Sequence, residues 1–214
     1  MFAEAWTYLA AHPRQFGAAL STHVTLSAAA LAIAIALAVP VGIWVAESRR
    51  NALVAINAAN IGRTLPSLAV LALMMPLLGT GFAPALFALT LLALPPILIN
   101  TCTAIREVDP DIVDAARGMG MTAMDLVRKV KLPIALPVIF AGIRTAAVQV
   151  ISGAVLASYI GGGGLGDFIT AGIAMMAVPL LLVGAIPATL LALGTDFLFG
   201  RLQRALTPLG LRRA

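Results

Sequence analysis

Charge is the scarcest property of this sequence. Only 11% of its 214 residues are Asp, Glu, Lys or Arg, where a soluble domain carries about 25%. Hydrophobic residues reach 61%, and the mean hydropathy is +1.01. A soluble fold of this length cannot hide so much apolar surface, so a water-soluble enzyme or binding domain is excluded, and so is disorder. Cysteine is reduced to Cys102, which excludes an internal disulfide. Histidine is reduced to His12 and His23, which with one cysteine leaves no metal-ligating or catalytic cluster. Gly and Pro, at 19 and 13, are too few for a collagen-like or low-complexity chain. The pattern G-x-x-x-x-G-K-[ST] is missing, so the chain does not bind ATP through a P-loop.

What is abundant is long apolar runs, and these point to an integral membrane protein. Lipid cannot satisfy backbone polar groups, so the fold is a helical bundle or a closed barrel. Barrel strands alternate apolar and polar residues, whereas these runs are continuous. The expected fold is therefore all-α, with about five transmembrane helices. The spans fall at about 22–46, 53–79, 83–105, 134–158 and 177–199, each near the 20 residues needed to cross a bilayer. The second is interrupted by Arg63, Thr64 and Pro66, which predicts an interfacial entry and a kink before Leu68. Residues 1–20 read as an interfacial helix bearing Trp6, Tyr8 and Phe16, and 201–214 as a basic tail.

The net charge of +5 would suit nucleic acid, but the basic residues flank apolar runs, where the positive-inside rule accounts for them. Arg49, Arg50, Arg106, Arg117, Arg128, Lys129, Lys131, Arg201, Arg204, Arg212 and Arg213 fall on one side of a five-span chain, and Arg14 alone on the other. This places the N-terminus outside, and the C-terminus and the 106–133 loop in the cytoplasm. Lipid is the expected surroundings; no nucleic-acid partner is expected.

The 106–133 loop carries the strongest signal. It holds five basic and five acidic residues. Asp109 is placed to cap a helix opened by Pro110, with Ile112, Val113 and Ala116 on one face. Gly118 and Gly120 are expected to break it. Thr122 then caps a second helix with Asp125 three positions on, Leu126, Val127 and Val130 form its apolar face, and Pro133 is expected to end it. Two short charged helices with an exposed apolar edge make a knob that a cytosolic partner could grip.

The pattern Asp114-Ala115-Ala116-x3-Gly120-x9-Val130-x-Leu132-Pro133 resembles the EAA loop of ABC importer permeases, EAA-x3-G-x9-I-x-L-P. It departs only by Asp for Glu and Val for Ile. The segments around Arg63-Thr64-Leu65-Pro66, Leu94-Pro95-Pro96, Asn100-Thr101, Gly142-Ile143-Arg144 and Gly161-Gly162-Gly163-Gly164-Leu165-Gly166-Asp167 resemble the osmoprotectant (glycine betaine, carnitine, choline) branch of these permeases. The methionine importer permeases are similar in the EAA loop and the Gly-rich turn, and remain the alternative. The resemblance spans about residues 20–200 and implies an ABC type I importer permease fold in a bacterial inner membrane. It implies an ATP-binding subunit that carries ATP and Mg, an extracytoplasmic substrate-binding protein and a second permease copy or paralogue. It implies no cofactor in this chain. Asp114, Ala115, Ala116, Gly118, Gly120, Val130, Leu132 and Pro133 would then form the ATPase-coupling loop.

Polar residues at membrane depth are candidates for the translocation path. These are Arg63, Thr64, Asn100, Arg144 and Gln149, together with Pro66 at the kink beside Thr64, and with Asp196 as a possible partner for an arginine. Gly161, Gly162, Gly163, Gly164 and Gly166 read as a tight outer turn, which can also touch the binding protein. Aromatic residues make up 6%, too few to suggest an aromatic cage for a quaternary ammonium in this chain. High-affinity recognition is therefore expected on the separate binding protein.

Overall fold

The computed structural model describes residues 1–206. Ten helices follow in order: α1 (Phe2–Ala11), α2 (Pro13–Ala46), α3 (Arg49–Thr64), α4 (Ser67–Leu78), α5 (Phe82–Arg106), α6 (Pro110–Gly118), α7 (Ala123–Asp125), α8 (Leu132–Ala154), α9 (Gly166–Ala174) and α10 (Val178–Leu206). A π-helical turn, Leu126–Lys131, joins α7 to α8, and a 3₁₀ turn, Val155–Ile160, follows α8. There is no strand among the described residues.

α5 forms the centre of the bundle, with α2, α8, α3 and α4 packed around it. Small residues allow the close approach. Ala30, Ala34 and Ala38 of α2 are buried at one-turn spacing, facing Ala85, Ala88 and Ala93 of α5 in one core. Gly42 lies so near α5 that a Cβ there would sit 2.8 Å from the Thr101 Cβ. Gly142 of α8 meets α5 as closely: its Cβ would be 2.8 Å from the Pro96 carbonyl oxygen. Any larger residue at either position would push two spans apart.

Four long helical stretches, 13–46, 82–106, 123–160 and 178–205, are apolar enough to cross a membrane. α3 and α4 together supply a fifth crossing, bent by 93°. The break has a local cause. Leu65 precedes Pro66 and is extended, with φ −69° and ψ 128°, because proline disfavours helical geometry in its predecessor. Pro66 then starts α4. The sequence expected a kink here, and the structure makes it a right-angled corner.

The two ends of the bundle are distinct. At one end the Lys131 ammonium lies 3.0 Å from the Glu47 carboxylate, and Arg106 Nη1 donates to the Ala46 carbonyl at 3.4 Å. At the other, the Gly81 N–H donates to the Ile160 carbonyl at 2.7 Å. The bent pair begins at Ser48 beside the first cluster and ends at Gly79 beside the second, so it counts as one crossing.

Three boundaries differ from the sequence reading. Residues 13–20, read with the interfacial segment, are continuous with α2, whose 34 residues span about 51 Å at 1.5 Å per residue. Only α1 stands apart, packing through Ala5 with Phe168 and Val183. The 159–176 stretch, which the expected spans leave as a connection, contains α9. The basic tail begins inside α10, and Arg212 and Arg213 lie outside the described residues.

Candidate coupling knob and translocation face

The knob forms from local signals. Asp109 Oδ1 accepts the Asp111 N–H at 2.9 Å, capping α6 as its sequence position suggested. Thr122 Oγ1 accepts the Asp125 N–H at 3.2 Å and donates to Asp125 Oδ2 at 2.8 Å. Lys129 adds an ion pair to Asp125 at 2.7 Å. The Lys129 hydrogen bond, then that of Thr122, holds the Asp125 carboxyl below its ordinary pKa. Val108, Val113, Ala116 and Leu126 form a small separate core with Met121, Val130 and Ile134 against it.

Three expectations about this loop are corrected. Ile112 does not join Val113 and Ala116 on the inward face; it is 44% exposed. Gly118 does not break α6 but is its last residue, and the reversal comes at Gly120, where φ is +81°. Pro133 does not end a loop helix. It sits in the first turn of α8, where a missing N–H costs least, and α7, the π turn and α8 run on as one helical stretch from 123 to 160. The Leu126–Lys131 bulge lies just before the proline.

The loop residues therefore divide in two. Ala116, Val130, Leu132 and Pro133 are buried or half-buried and hold the knob together. Asp114, Ala115, Gly118 and Gly120 are exposed. Asp114 is 3.4 Å from Arg117 in an open ion pair. The exposed apolar edge foreseen for the knob consists of Ile112, Met119 and Met124. The two methionines were not singled out from sequence, because nothing in their spacing told inward from outward.

A polar face lies along α8. Thr145, Gln149 and Ser152 are exposed at helical spacing of four and three residues. Beside them Arg144 makes a bidentate pair with Asp196 of α10: Nε to Oδ1 at 2.6 Å and Nη2 to Oδ2 at 2.7 Å. The guanidinium lies against Gly200, where a Cβ would come within 3.1 Å of Nη1. Gln203 donates to the Pro137 carbonyl at 3.0 Å. Ala141, Arg144, Thr145, Val148, Gln149, Asp196 and Gln203 line an open cleft of about 650 Å³. Arg144 is twelve residues into α8, about 18 Å along its axis. Exposed glutamine, threonine and paired charges at that depth are costly against lipid tails, so this face suits a wet path or a protein partner.

Not every path candidate reaches that cleft. Arg144 and Gln149 line it. Arg63, Thr64 and Pro66 are exposed at the α3–α4 corner, and Thr64 Oγ1 bonds back to the Ile61 carbonyl at 2.7 Å. Asn100 spends its side chain inside its own helix, donating to the Pro96 carbonyl at 2.7 Å. Asp196, named from sequence as a partner for an arginine, lines the cleft too; Thr145 in the cleft and Ser152 farther along the same helix face were not singled out, although the 145–149–152 spacing was visible in the sequence.

At the other end, Gly161, Gly163 and Gly164 have φ of +75°, +73° and +100°, which makes the run a tight turn. Gly162 and Gly166 are required by crowding instead: a Cβ on Gly162 would be 2.9 Å from Ala85, and one on Gly166 would strike the Val155 carbonyl. Gly164 rests on His23, where a Cβ would lie 3.2 Å from Nδ1. His23 is only 1% exposed, with Nε2 at 3.1 Å from the Ile151 carbonyl oxygen, so Nε2 is the protonated donor. Among the described residues no group of three or more His, Cys, Asp or Glu could hold a metal ion.

Comparison with known proteins follows the same outline. Residues 38–209 match the family described as binding-protein-dependent transport system inner membrane component. The carnitine transport permease protein OpuCB of Listeria monocytogenes is 47% identical over 192 residues, covering 90% of this chain and 88% of that protein. The choline transport system permease protein OpuBB of Bacillus subtilis is 44% identical over 191 residues, covering 89% and 88%. The osmoprotectant import permease protein OsmW of Salmonella typhimurium is 42% identical over 195 residues, covering 89% and 91%. Among solved structures, an inward-facing form of the MetNI methionine ABC transporter superposes with a TM-score of 0.80 at 23% identity, covering 92% of this chain and 99% of that one.

Proposed function

We propose, from the premise that this chain belongs to the binding-protein-dependent transport system inner membrane component family, that it is the permease of an ATP-driven importer for a small quaternary-ammonium osmolyte such as glycine betaine, choline or carnitine. It is a multi-pass protein of the inner membrane. The observation that carries the substrate class is the 42–47% identity to carnitine, choline and osmoprotectant permeases over about nine-tenths of the chain. The likeness to the methionine transporter is at 23% identity, which reaches the fold and no further.

Three partners follow from this reading. A separate ATPase subunit, carrying ATP and Mg, grips the knob through Asp114, Ala115, Gly118, Gly120 and the apolar edge of Ile112, Met119 and Met124. A binding protein delivers substrate at the glycine-turn end. A second permease copy or paralogue closes the path along α8 and α10. The N-terminus is outside and the C-terminus inside, in keeping with the basic residues gathered at the Lys131 end. Substrate recognition at high affinity rests with the binding protein, and the permease supplies a polar way through.

The knob assignment is tested with Ala115→Glu. Ala115 is exposed and helical, so the substitution leaves the knob's core untouched. Weaker docking of the ATPase subunit, with transport down about tenfold, equivalent to 1.4 kcal/mol at the interface, and an unchanged melting temperature in detergent, is the expected result. Undiminished docking and transport would remove the loop from the coupling path.

A further inference from the structure

The Arg144–Asp196 pair is built to leave recognition capacity unused. Asp196 engages Nε and Nη2 of the guanidinium, at 2.6 and 2.7 Å. Arginine has five N–H donors in a rigid fork, so the Nη1 side keeps its donors. The pair is not sealed away: the side chains are 38% and 45% exposed, and both line the 650 Å³ cleft. A free cation meets no net attraction there, since the two charges cancel. A zwitterion meets two complementary poles. Its carboxylate suits the open arginine edge, where charge-assisted hydrogen bonds are strongest, and its quaternary ammonium suits the outer side of the Asp196 carboxylate. Thr145 and Gln149 add uncharged polar wall to the same cleft.

We propose that the Arg144–Asp196 pair is a transit station for zwitterions, which favours quaternary ammonium compounds bearing a carboxylate over those bearing a hydroxyl. The inference rests on the reading of the α8–α10 face as path lining. Carboxylated osmolytes such as glycine betaine and carnitine engage both poles, whereas choline, a cation without a carboxylate, gains nothing from the neutralised pair. The station is a specificity element downstream of the binding protein and is formed by this chain alone. Gly200 belongs to it, because a Cβ there would come within 3.1 Å of Nη1 and press on the fork.

The test uses the whole complex, permease with its ATPase and binding protein, reconstituted in proteoliposomes, with labelled glycine betaine and labelled choline as probes. Arg144→Lys keeps the ion pair with Asp196 but removes the second edge of the fork. Glycine betaine uptake is expected to fall at least tenfold in this variant, while choline uptake, ATP hydrolysis by the docked subunit and the melting temperature stay within twofold or a few degrees of wild type. The charge-cancelling double substitution Arg144→Gln with Asp196→Asn is expected to give the same selective loss. A wild type that moves choline as fast as glycine betaine overturns the proposal, as does an equal fall for both probes in either variant, which marks the pair as structural. Thr145→Cys and Gln149→Cys separate this from the path reading. If a membrane-impermeant thiol reagent reaches both while selectivity is unchanged in Arg144→Lys, the station fails and the path stands. If neither cysteine is reached, the path reading itself fails.

Discussion

Two glycines of the knob look alike in sequence and differ in what they do. Gly118 is helical and Gly120 has φ +81°, and neither has an atom within 4 Å of a would-be Cβ. Gly118→Ala is therefore expected to firm α6 by about 0.5–1 kcal/mol, and Gly120→Ala to loosen the knob by about 1–2 kcal/mol. Amide exchange over 111–118, followed by mass spectrometry, reads both. The same strain would accompany Gly120→Glu, so Ala115→Glu is the cleaner probe of docking. Asp125 gives the knob a pH dependence. Its folded pKa is lowered by Lys129 and Thr122, so its contribution is present above the ordinary carboxylate pKa, about 3.9, and fades as pH falls through the lowered value. Amide exchange of 122–129 is expected to show less protection at the acid end in wild type, and Asp125→Asn to lose that pH-dependent difference. An identical pH profile for both proteins would detach the cap from Asp125.

At the scale of elements, the α3–α4 corner is set by one residue pair. Leu65 is extended because Pro66 follows it. Pro66→Ala lifts the restriction, and the 93° bend is expected to open. Spin labels at positions 54 and 73, both exposed, are expected to move apart, as measured by electron-resonance distance spectroscopy. An unchanged distance would assign the corner to packing against α5 rather than to the proline. Elements also explain why the knob was half legible. Asp109, Thr122 and Pro110 act on adjacent backbone, and their roles could be read locally. The fate of Pro133 could not, because a proline in a first helical turn and a proline after a last one look the same in sequence.

At the scale of the molecule, the expected topology gives a direct test. Cys102 is buried, so the natural chain offers a thiol-silent background. Met119→Cys in the knob is expected to react with an impermeant maleimide only from the cytoplasmic side, and Met175→Cys, after α9, only from outside; both positions are over 70% exposed. Labelling from the reverse sides would overturn the orientation. The sequence by itself determined the membrane class, the approximate crossings and the caps of the knob, because hydropathy, proline and capping act over a few residues of adjacent chain. It also supplied the polar spacing of Thr145, Gln149 and Ser152 without saying which way that face looked. Only the tertiary structure decided that Arg144 meets Asp196, 52 residues away, that Asn100 turns back on its own helix, and that His23 lies under Gly164. Those outcomes depend on which helices cross and how closely, and the crossing of α5 with α2 and α8 is set by Gly42 and Gly142, where two distant pieces of chain must fit each other in space.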